Sequence, residues 1–142
     1  MAANSAFMGN GTILVIDDEA EQRASMRDTL RQGGFSVLEA ADYEEALVVQ
    51  AGHLGEIVLI LSDVRLPGGN AYDLSKALLA VEPHLKLLFT SGQAGAELCK
   101  FFDMPLTDLH FLEKPFESNE LLKRVRTLLG WGSPFAFACG TA

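Results

Sequence analysis

Four short polar clusters each follow an apolar run. Asp17-Asp18-Glu19 follows Ile13 to Ile16, and Ser62-Asp63 closes the run from Ile57 to Leu61. Thr90-Ser91-Gly92 follows Leu85 to Phe89, and Glu113-Lys114-Pro115 follows Leu109 to Leu112. Gathered in one place, they offer the carboxylates of Asp17, Asp18 and Asp63, the hydroxyl of Thr90 and the ammonium of Lys114. Two carboxylates ~4 Å apart repel by about 4 kcal/mol at an effective dielectric of ~20, so three together call for a cation. An all-oxygen donor set selects a hard ion, Mg2+ or Mn2+, held by one or two carboxylates plus waters and phosphate oxygens. With a carboxylate nucleophile, a hydroxyl and a lysine beside it, such a site suits phosphoryl transfer. The cation and lysine neutralise the transferred group while the carboxylate attacks to form an acyl phosphate.

Each cluster alone has an ordinary explanation. An Asp-Asp pair after a strand is often a helix N-cap. Asp63 alone caps a loop, Thr90 ends a strand, Lys114 is solvated surface and Phe111 is core. Chemistry therefore requires the clusters jointly, and requires elements that bring them together.

Those elements are readable. The apolar runs at 13–16, around Val37-Leu38, at 57–61, 85–89 and 109–112 are mostly apolar on both faces, as expected for strands of a parallel sheet covered on both sides. Amphipathic or mixed stretches lie between them, roughly at 19–33, 43–52, 70–81, 94–102 and 118–129. In the last, Leu121, Leu122, Val125, Leu128 and Leu129 repeat with helical period. The first is weaker, with Ala20, Ala24, Met26 and Leu30 to bury, and Gly95 weakens the fourth. The pattern predicts an α/β fold with a single doubly wound five-stranded parallel sheet in the order 2-1-3-4-5. In such sheets ligands bind beyond the carboxyl ends of the strands, where the four polar clusters fall.

The 142 residues fit one domain, expected over 11–130, with a flexible arm at 1–10 and a C-terminal tail at 131–142 of no evident role. The formal net charge of −8 argues against nucleic-acid binding, which needs clustered Lys and Arg. Two cysteines, Cys99 and Cys139, make no disulfide framework, and with the three histidines they show no soft-metal spacing. The absence of a secretory signal or an apolar run of ~18 residues leads to the expectation of a cytoplasmic, non-membrane protein.

The sequence resembles a response-regulator receiver domain, the phospho-acceptor of two-component signalling, with the flavodoxin-like receiver fold. The likeness covers about residues 11–130. It is carried by ILVIDDE at 13–19, LSDVRLPGG at 61–69, LFTSG at 88–92 and FLEKPF at 111–116, in the family's order. From Asp18 it is 45 residues to Asp63, then 27 to Thr90 and 24 to Lys114. The resemblance implies that Asp63 is phosphorylated. It implies that Asp17 and Asp18 hold Mg2+ with Asp63 and the backbone carbonyl of Arg65. Lys114 would pair with the phosphoryl group, Thr90 would be the switch hydroxyl and Phe111 the switch aromatic. Pro115 matches the position that follows a cis peptide. The implied partner is a histidine kinase or a histidine phosphotransfer protein, which supplies the phosphoryl group from a phosphohistidine. The downstream protein target is unspecified, and nucleic acid and membrane are not expected partners.

Three departures from the family pattern stand out. Ala71 replaces a common glycine after the 67–71 turn. Arg65 and Gly92 occupy the positions, two past Asp63 and Thr90, that face attacking water. Pro105 is expected to end the fourth helix early. A Mg2+-dependent phosphatase with an aspartyl nucleophile is the alternative, although it wants an acid where Arg65 stands. A flavodoxin-type nucleotide binder is disfavoured because Asp-Asp-Glu would repel a phosphate. A phosphate-independent interaction module is disfavoured because every required side chain is present. The expected setting is a stand-alone regulator or the receiver of a hybrid histidine kinase.

Overall fold

The computed structural model describes residues 11–92 and 106–130. Five strands form one parallel sheet: β1 (Thr12–Ile16), β2 (Ser36–Ala40), β3 (Ile57–Asp63), β4 (Lys86–Ser91) and β5 (Phe111–Glu113). Their order is β2-β1-β3-β4-β5, the one expected. The described helices are α1 (Ala20–Gln32), α2 (Tyr43–Gly52), α3 (Ala71–Val81) and α4 (Ser118–Leu128). A separate antiparallel ladder of two residues per strand pairs Arg65–Leu66 with Gly69–Asn70 after β3. Among the described residues no helix is long and apolar enough to cross a membrane.

Alternation along the strands builds two cores. On one face Leu14, Ile16, Ile60, Leu87 and Phe89 pack with Ala46 of α2 and with Leu74 and Leu78 of α3. On the other, Ile13, Val15, Leu59, Leu61, Leu88 and Leu112 pack with Met26 and Leu30 of α1 and with Leu121 and Val125 of α4. Each fully buried aliphatic side chain contributes about 1.5–3 kcal/mol relative to exposure, so both faces favour this one register. Helix starts follow local chemistry. The Asp42 carboxylate accepts the Glu45 N–H at 2.8 Å to open α2, and Asn70 does the same with the Asp73 N–H at 2.8 Å for α3.

Details differ from the sequence expectation where apolar content misled. The fifth run starts with a short 3-10 turn at Asp108–His110, closed by the His110 N–H donating to the Thr107 carbonyl at 2.9 Å. Leu109 is exposed there, and the strand begins only at Phe111. In α1, Ala20 is exposed and Thr29 joins Met26 and Leu30 in the interior. Of the five apolar positions of the last helix only Leu121 and Val125 are fully buried. The expected 94–102 helix and its stop at Pro105 lie outside the described residues, as do the arm at 1–10 and the tail at 131–142.

Candidate functional site

The strand period explains why the predicted residues meet. Side chains two apart on a strand share a face. Asp17 continues the face of Ile13 and Val15, Asp63 that of Leu59 and Leu61, Thr90 that of Leu88, and Lys114 that of Leu112. All four therefore emerge at the carboxyl edge on the α1 and α4 side. Register aligns them: Ile16 sits beside Ser62, Asp63 beside Thr90, and Thr90 beside Leu112.

Backbone hydrogen bonds hold this edge beyond the last strand residues. The Val64 N–H donates to the Thr90 carbonyl at 3.0 Å, and the Lys114 N–H to the Ser91 carbonyl at 2.7 Å. The Asp17 N–H donates to the Ala40 carbonyl at 3.1 Å. The Lys114–Pro115 peptide is cis.

Lys114 joins two of the carboxylates. Its Nζ lies 2.8 Å from Asp63 Oδ2 and 3.5 Å from Asp17 Oδ2. The other oxygens are committed to backbone: Asp17 Oδ1 accepts the Glu19 N–H at 2.9 Å, and Asp63 Oδ1 accepts the Arg65 N–H at 2.9 Å. Asp63 thus also makes the local loop bond that the plainer reading assigned to it. The Asp-Asp pair, by contrast, does not cap α1, whose N-cap is Glu19 without a side-chain cap bond.

Exposure grades the acids. The Asp17 side chain is wholly buried, while those of Asp63 and Lys114 are 17% exposed. Asp18 is exposed. Burial raises the Asp17 pKa, since desolvation outweighs the Glu19 N–H and Lys114 that favour its charge. Burial alone would lower the Lys114 pKa. The hydrogen bond to Asp63 and the charges of Asp17 and Asp63 overcome it and leave that pKa raised. Lys114 therefore stays charged and is shared between two acids.

Among the described residues no three of His, Cys, Asp and Glu are grouped to hold a metal ion by themselves. The donor chemistry nevertheless fits a hard cation that keeps several waters. Two carboxylates share one lysine, the exposed Asp18 follows directly, and burial disfavours the charge of Asp17.

Thr90 and Phe111 complete the expected set. The Thr90 Oγ1 is buried and has no hydrogen-bond partner among the described residues. Phe111 is half-buried and stacks on Phe89, with ring centroids 5.6 Å apart and planes at 24°. An Arg124 guanidinium nitrogen donates to the Phe111 carbonyl at 2.5 Å. Around the 67–71 turn, Ala71 is fully buried as the first residue of α3, and its N–H donates to the Val64 carbonyl at 3.3 Å. The left-handed backbone of the turn falls instead on Gly68, with φ +84°. The Arg65 side chain is exposed.

Sequence reading overlooked Arg23 and Glu39. Arg23, in the second turn of α1, donates to the Asp17 carbonyl at 2.7 Å and pairs through Nε with Glu39 of β2 at 3.1 Å. The available signals were a lone acid interrupting the apolar β2 run and a basic residue six positions after Asp17.

Comparison with known proteins bears on this arrangement. A model of the response regulator receiver domain family matches residues 13–126. The chain is 33% identical over 117 residues to the transcriptional regulatory protein CpxR of Escherichia coli K12, covering 82% of this chain and 48% of CpxR. It is 31% identical over 122 residues to the sensor kinase CckA of Brucella abortus, covering 85% of this chain and 13% of that protein. The crystal structure of the receiver domain from hybrid histidine kinase CckA superposes with a TM-score of 0.67 at 32% identity, covering 84% of this chain and 99% of that one. The chain thus spans about half the length of one curated relative and a small part of the other.

Proposed function

The chain belongs to the response regulator receiver domain family, and on that premise we propose that Asp63 is its phospho-acceptor in a two-component phosphorelay. The observation that carries this reading is the carboxylate–lysine–carboxylate arrangement, Asp63 Oδ2 to Lys114 Nζ to Asp17 Oδ2, at the edge that Thr90 also faces.

An Asp63 oxygen attacks the phosphorus of a phosphohistidine on a histidine kinase or phosphotransfer protein. The new P–O bond replaces the P–N bond, and the imidazole leaves and takes up a proton. Lys114 already touches both acids, so it can follow the charge from the Asp63 carboxylate to a phosphoryl oxygen without crossing the site. Mg2+ (or Mn2+) bound by Asp17, Asp18, Asp63 and the Arg65 carbonyl would neutralise phosphoryl charge. The phosphoryl group adds roughly −2 of charge and new acceptor oxygens. The unpartnered Thr90 hydroxyl supplies a donor for one of them. Its movement vacates space next to the β4–β5 edge, where Phe111 packs on Phe89. Phe111 moving inward changes the surface offered to a downstream protein. Water later hydrolyses the acyl phosphate, and the domain acts as a signalling module rather than a conventional enzyme. Relatives that are a transcriptional regulator and a sensor kinase support either a regulator or a hybrid kinase as its setting.

Incubation with a small-molecule phospho-donor and Mg2+, followed by intact mass measurement, tests the assignment. The expected product is one adduct of about 80 Da, a single phosphoryl group, absent from Asp63→Asn. An adduct that persists in Asp63→Asn overturns Asp63 as acceptor. Steady turnover of a phosphomonoester would instead support an aspartyl-nucleophile phosphatase, for which Arg65 offers no leaving-group acid.

A further inference from the structure

We propose that Arg23, held by Glu39, is a positioning residue that sets the geometry of the Asp17-Asp18 turn for cation binding. This rests on the reading above, that the acidic turn holds a divalent cation.

The Asp17 carbonyl belongs to the peptide plane that joins Asp17 to Asp18. Whatever fixes that carbonyl fixes the direction in which Asp18 leaves the chain. Asp18 follows the end of β1 and precedes α1, so no ladder hydrogen bond orients it. Arg23 supplies the missing restraint by donating to that carbonyl at 2.7 Å. A charged donor to a carbonyl is among the stronger hydrogen bonds.

The guanidinium is itself held in place. Its Nε donates to Glu39 Oε1 at 3.1 Å, while Glu39 Oε2 accepts from Arg27 at 3.2 Å. The Arg23 and Glu39 side chains are 20% and 28% exposed, so the pair is partly shielded from water. Glu39 lies on β2 beside Val15 of β1, and the next β2 residue, Ala40, accepts the Asp17 N–H at 3.1 Å. Both backbone polar groups of Asp17 are therefore referred to β2, one directly and one through Arg23 and Glu39. With Oδ1 on the Glu19 N–H, the group of Asp17 left to face the site is Oδ2.

A positive charge next to a cation site is on simple electrostatic grounds unfavourable. This makes the proposal separable from a charge effect, because the two predict opposite signs. Removing Arg23 as a mere charge strengthens divalent cation binding. Removing it as a positioning residue weakens binding, as loss of groups that orient metal ligands commonly does, by ~10–100-fold.

The experiment is a calorimetric Mg2+ titration of the intact chain, with wild type, Arg23→Gln, Arg23→Lys, Glu39→Gln and Arg27→Gln compared well below their unfolding temperatures. The same proteins are then phosphorylated with a small phospho-donor across a range of Mg2+. The expected result is Mg2+ binding weakened about tenfold in Arg23→Gln, less in Arg23→Lys and Glu39→Gln, and little changed in Arg27→Gln, which does not touch Asp17. The Mg2+ concentration for half-maximal phosphorylation moves in parallel, while the rate at saturating Mg2+ is nearly preserved. A purely structural role lowers thermal stability without moving the Mg2+ dissociation constant. Unchanged or tighter binding in both Arg23→Gln and Arg23→Lys overturns the proposal. Absence of Mg2+ binding by the wild type overturns the underlying reading and the proposal with it. If Arg23→Gln fails to fold, Arg23→Lys decides: it keeps the charge, so weakened binding supports positioning and unchanged or tighter binding overturns the proposal.

Discussion

Replacing Thr90 with valine should stabilise the unphosphorylated protein while impairing its response to phosphorylation. Thr90 is 0% exposed, on a central strand, and its Oγ1 has no hydrogen-bond partner among the described residues. Burying a hydroxyl without a partner costs about 1–3 kcal/mol. Valine keeps the branched shape and the strand preference and replaces that oxygen with a methyl group, so no cavity opens. A gain of about 1–2 kcal/mol follows, since some of the penalty is offset by local relaxation. For a domain of this size that corresponds to a rise in Tm of roughly 3–8 °C. Thr90→Ser, which keeps the hydroxyl and deletes the methyl, should instead lose about 1 kcal/mol. The assay is urea unfolding monitored by circular dichroism, with thermal melts before and after incubation with phospho-donor and Mg2+. Thr90→Val should still form the acyl-phosphate adduct, because Asp63 and Lys114 are untouched, but its melt should move less on phosphorylation than that of the wild type. A Thr90→Val protein less stable than the wild type refutes the orphaned hydroxyl. An equal phosphorylation-induced shift refutes its use as a donor to the phosphoryl group.

Other substitutions probe separate parts of the molecule. Asp17 binds its proton more tightly in the folded chain than in the unfolded one, whose carboxylate titrates near 3.8. The native state therefore holds more protons between 3.8 and the raised native value, and without divalent cation the Asp17 contribution falls as pH rises through that window. The stability of Asp17→Asn relative to wild type should accordingly increase from acid to neutral pH in chelator-treated urea titrations; a pH-independent difference contradicts the burial argument. Buried Glu82 accepts from the Gly55 N–H at 2.8 Å and from Gln50 at 3.1 Å. Glu82→Ala removes both bonds, but Gln50 keeps the Leu78 carbonyl at 2.9 Å and Gly55 is exposed to water, so the loss should be about 1–2 kcal/mol in denaturant unfolding. At Gly69 an added Cβ meets a Tyr43 ring carbon at 2.7 Å, and Gly69→Ala should lose about 1–3 kcal/mol, recovered in part when Tyr43 is also made Ala. Arg65 is exposed beside the acceptor, so Arg65→Ala should shorten the acyl-phosphate lifetime by admitting water; an unchanged lifetime in a radiolabel chase removes that shielding role.

The sheet was legible because strand alternation and helix period agree along most of the chain. The same alternation, carried one or two residues past each apolar run, places Asp17, Asp63, Thr90 and Lys114 on one face. Polar residues at the carboxyl ends of four strands thus predict a shared edge before any distance is known. What stayed hidden depended on geometry that no period encodes. Leu109 reads as strand from its neighbours, yet the 3-10 turn at Asp108–His110 leaves it exposed. The three acids read as equivalent, yet one is buried, one half-buried and one exposed, because β1 ends at Ile16 and the chain turns outward after Asp17. Arg23 lies on helix α1, and its partner acid is sixteen residues away on strand β2.

These hidden features share a physical logic. Asp17 is buried with its charge disfavoured, and Thr90 is buried with its hydroxyl unpaired. Both raise the free energy of the resting state at the edge where a cation and a phosphoryl group are proposed to bind. A divalent ion relieves the first, and a phosphoryl oxygen relieves the second. Ligands shift an equilibrium only by the difference in their affinity for its two states. A resting state in which two carboxylates share one lysine and a hydroxyl is unused enlarges that difference without any new contact on the far side of the fold. If this reasoning holds, Asp17→Asn and Thr90→Val both stabilise the apo form, and each removes one of the two responses: the stabilisation by Mg2+ in the first case, that by phosphorylation in the second. Equal responses to both ligands in both variants would show that the resting state stores nothing at this edge.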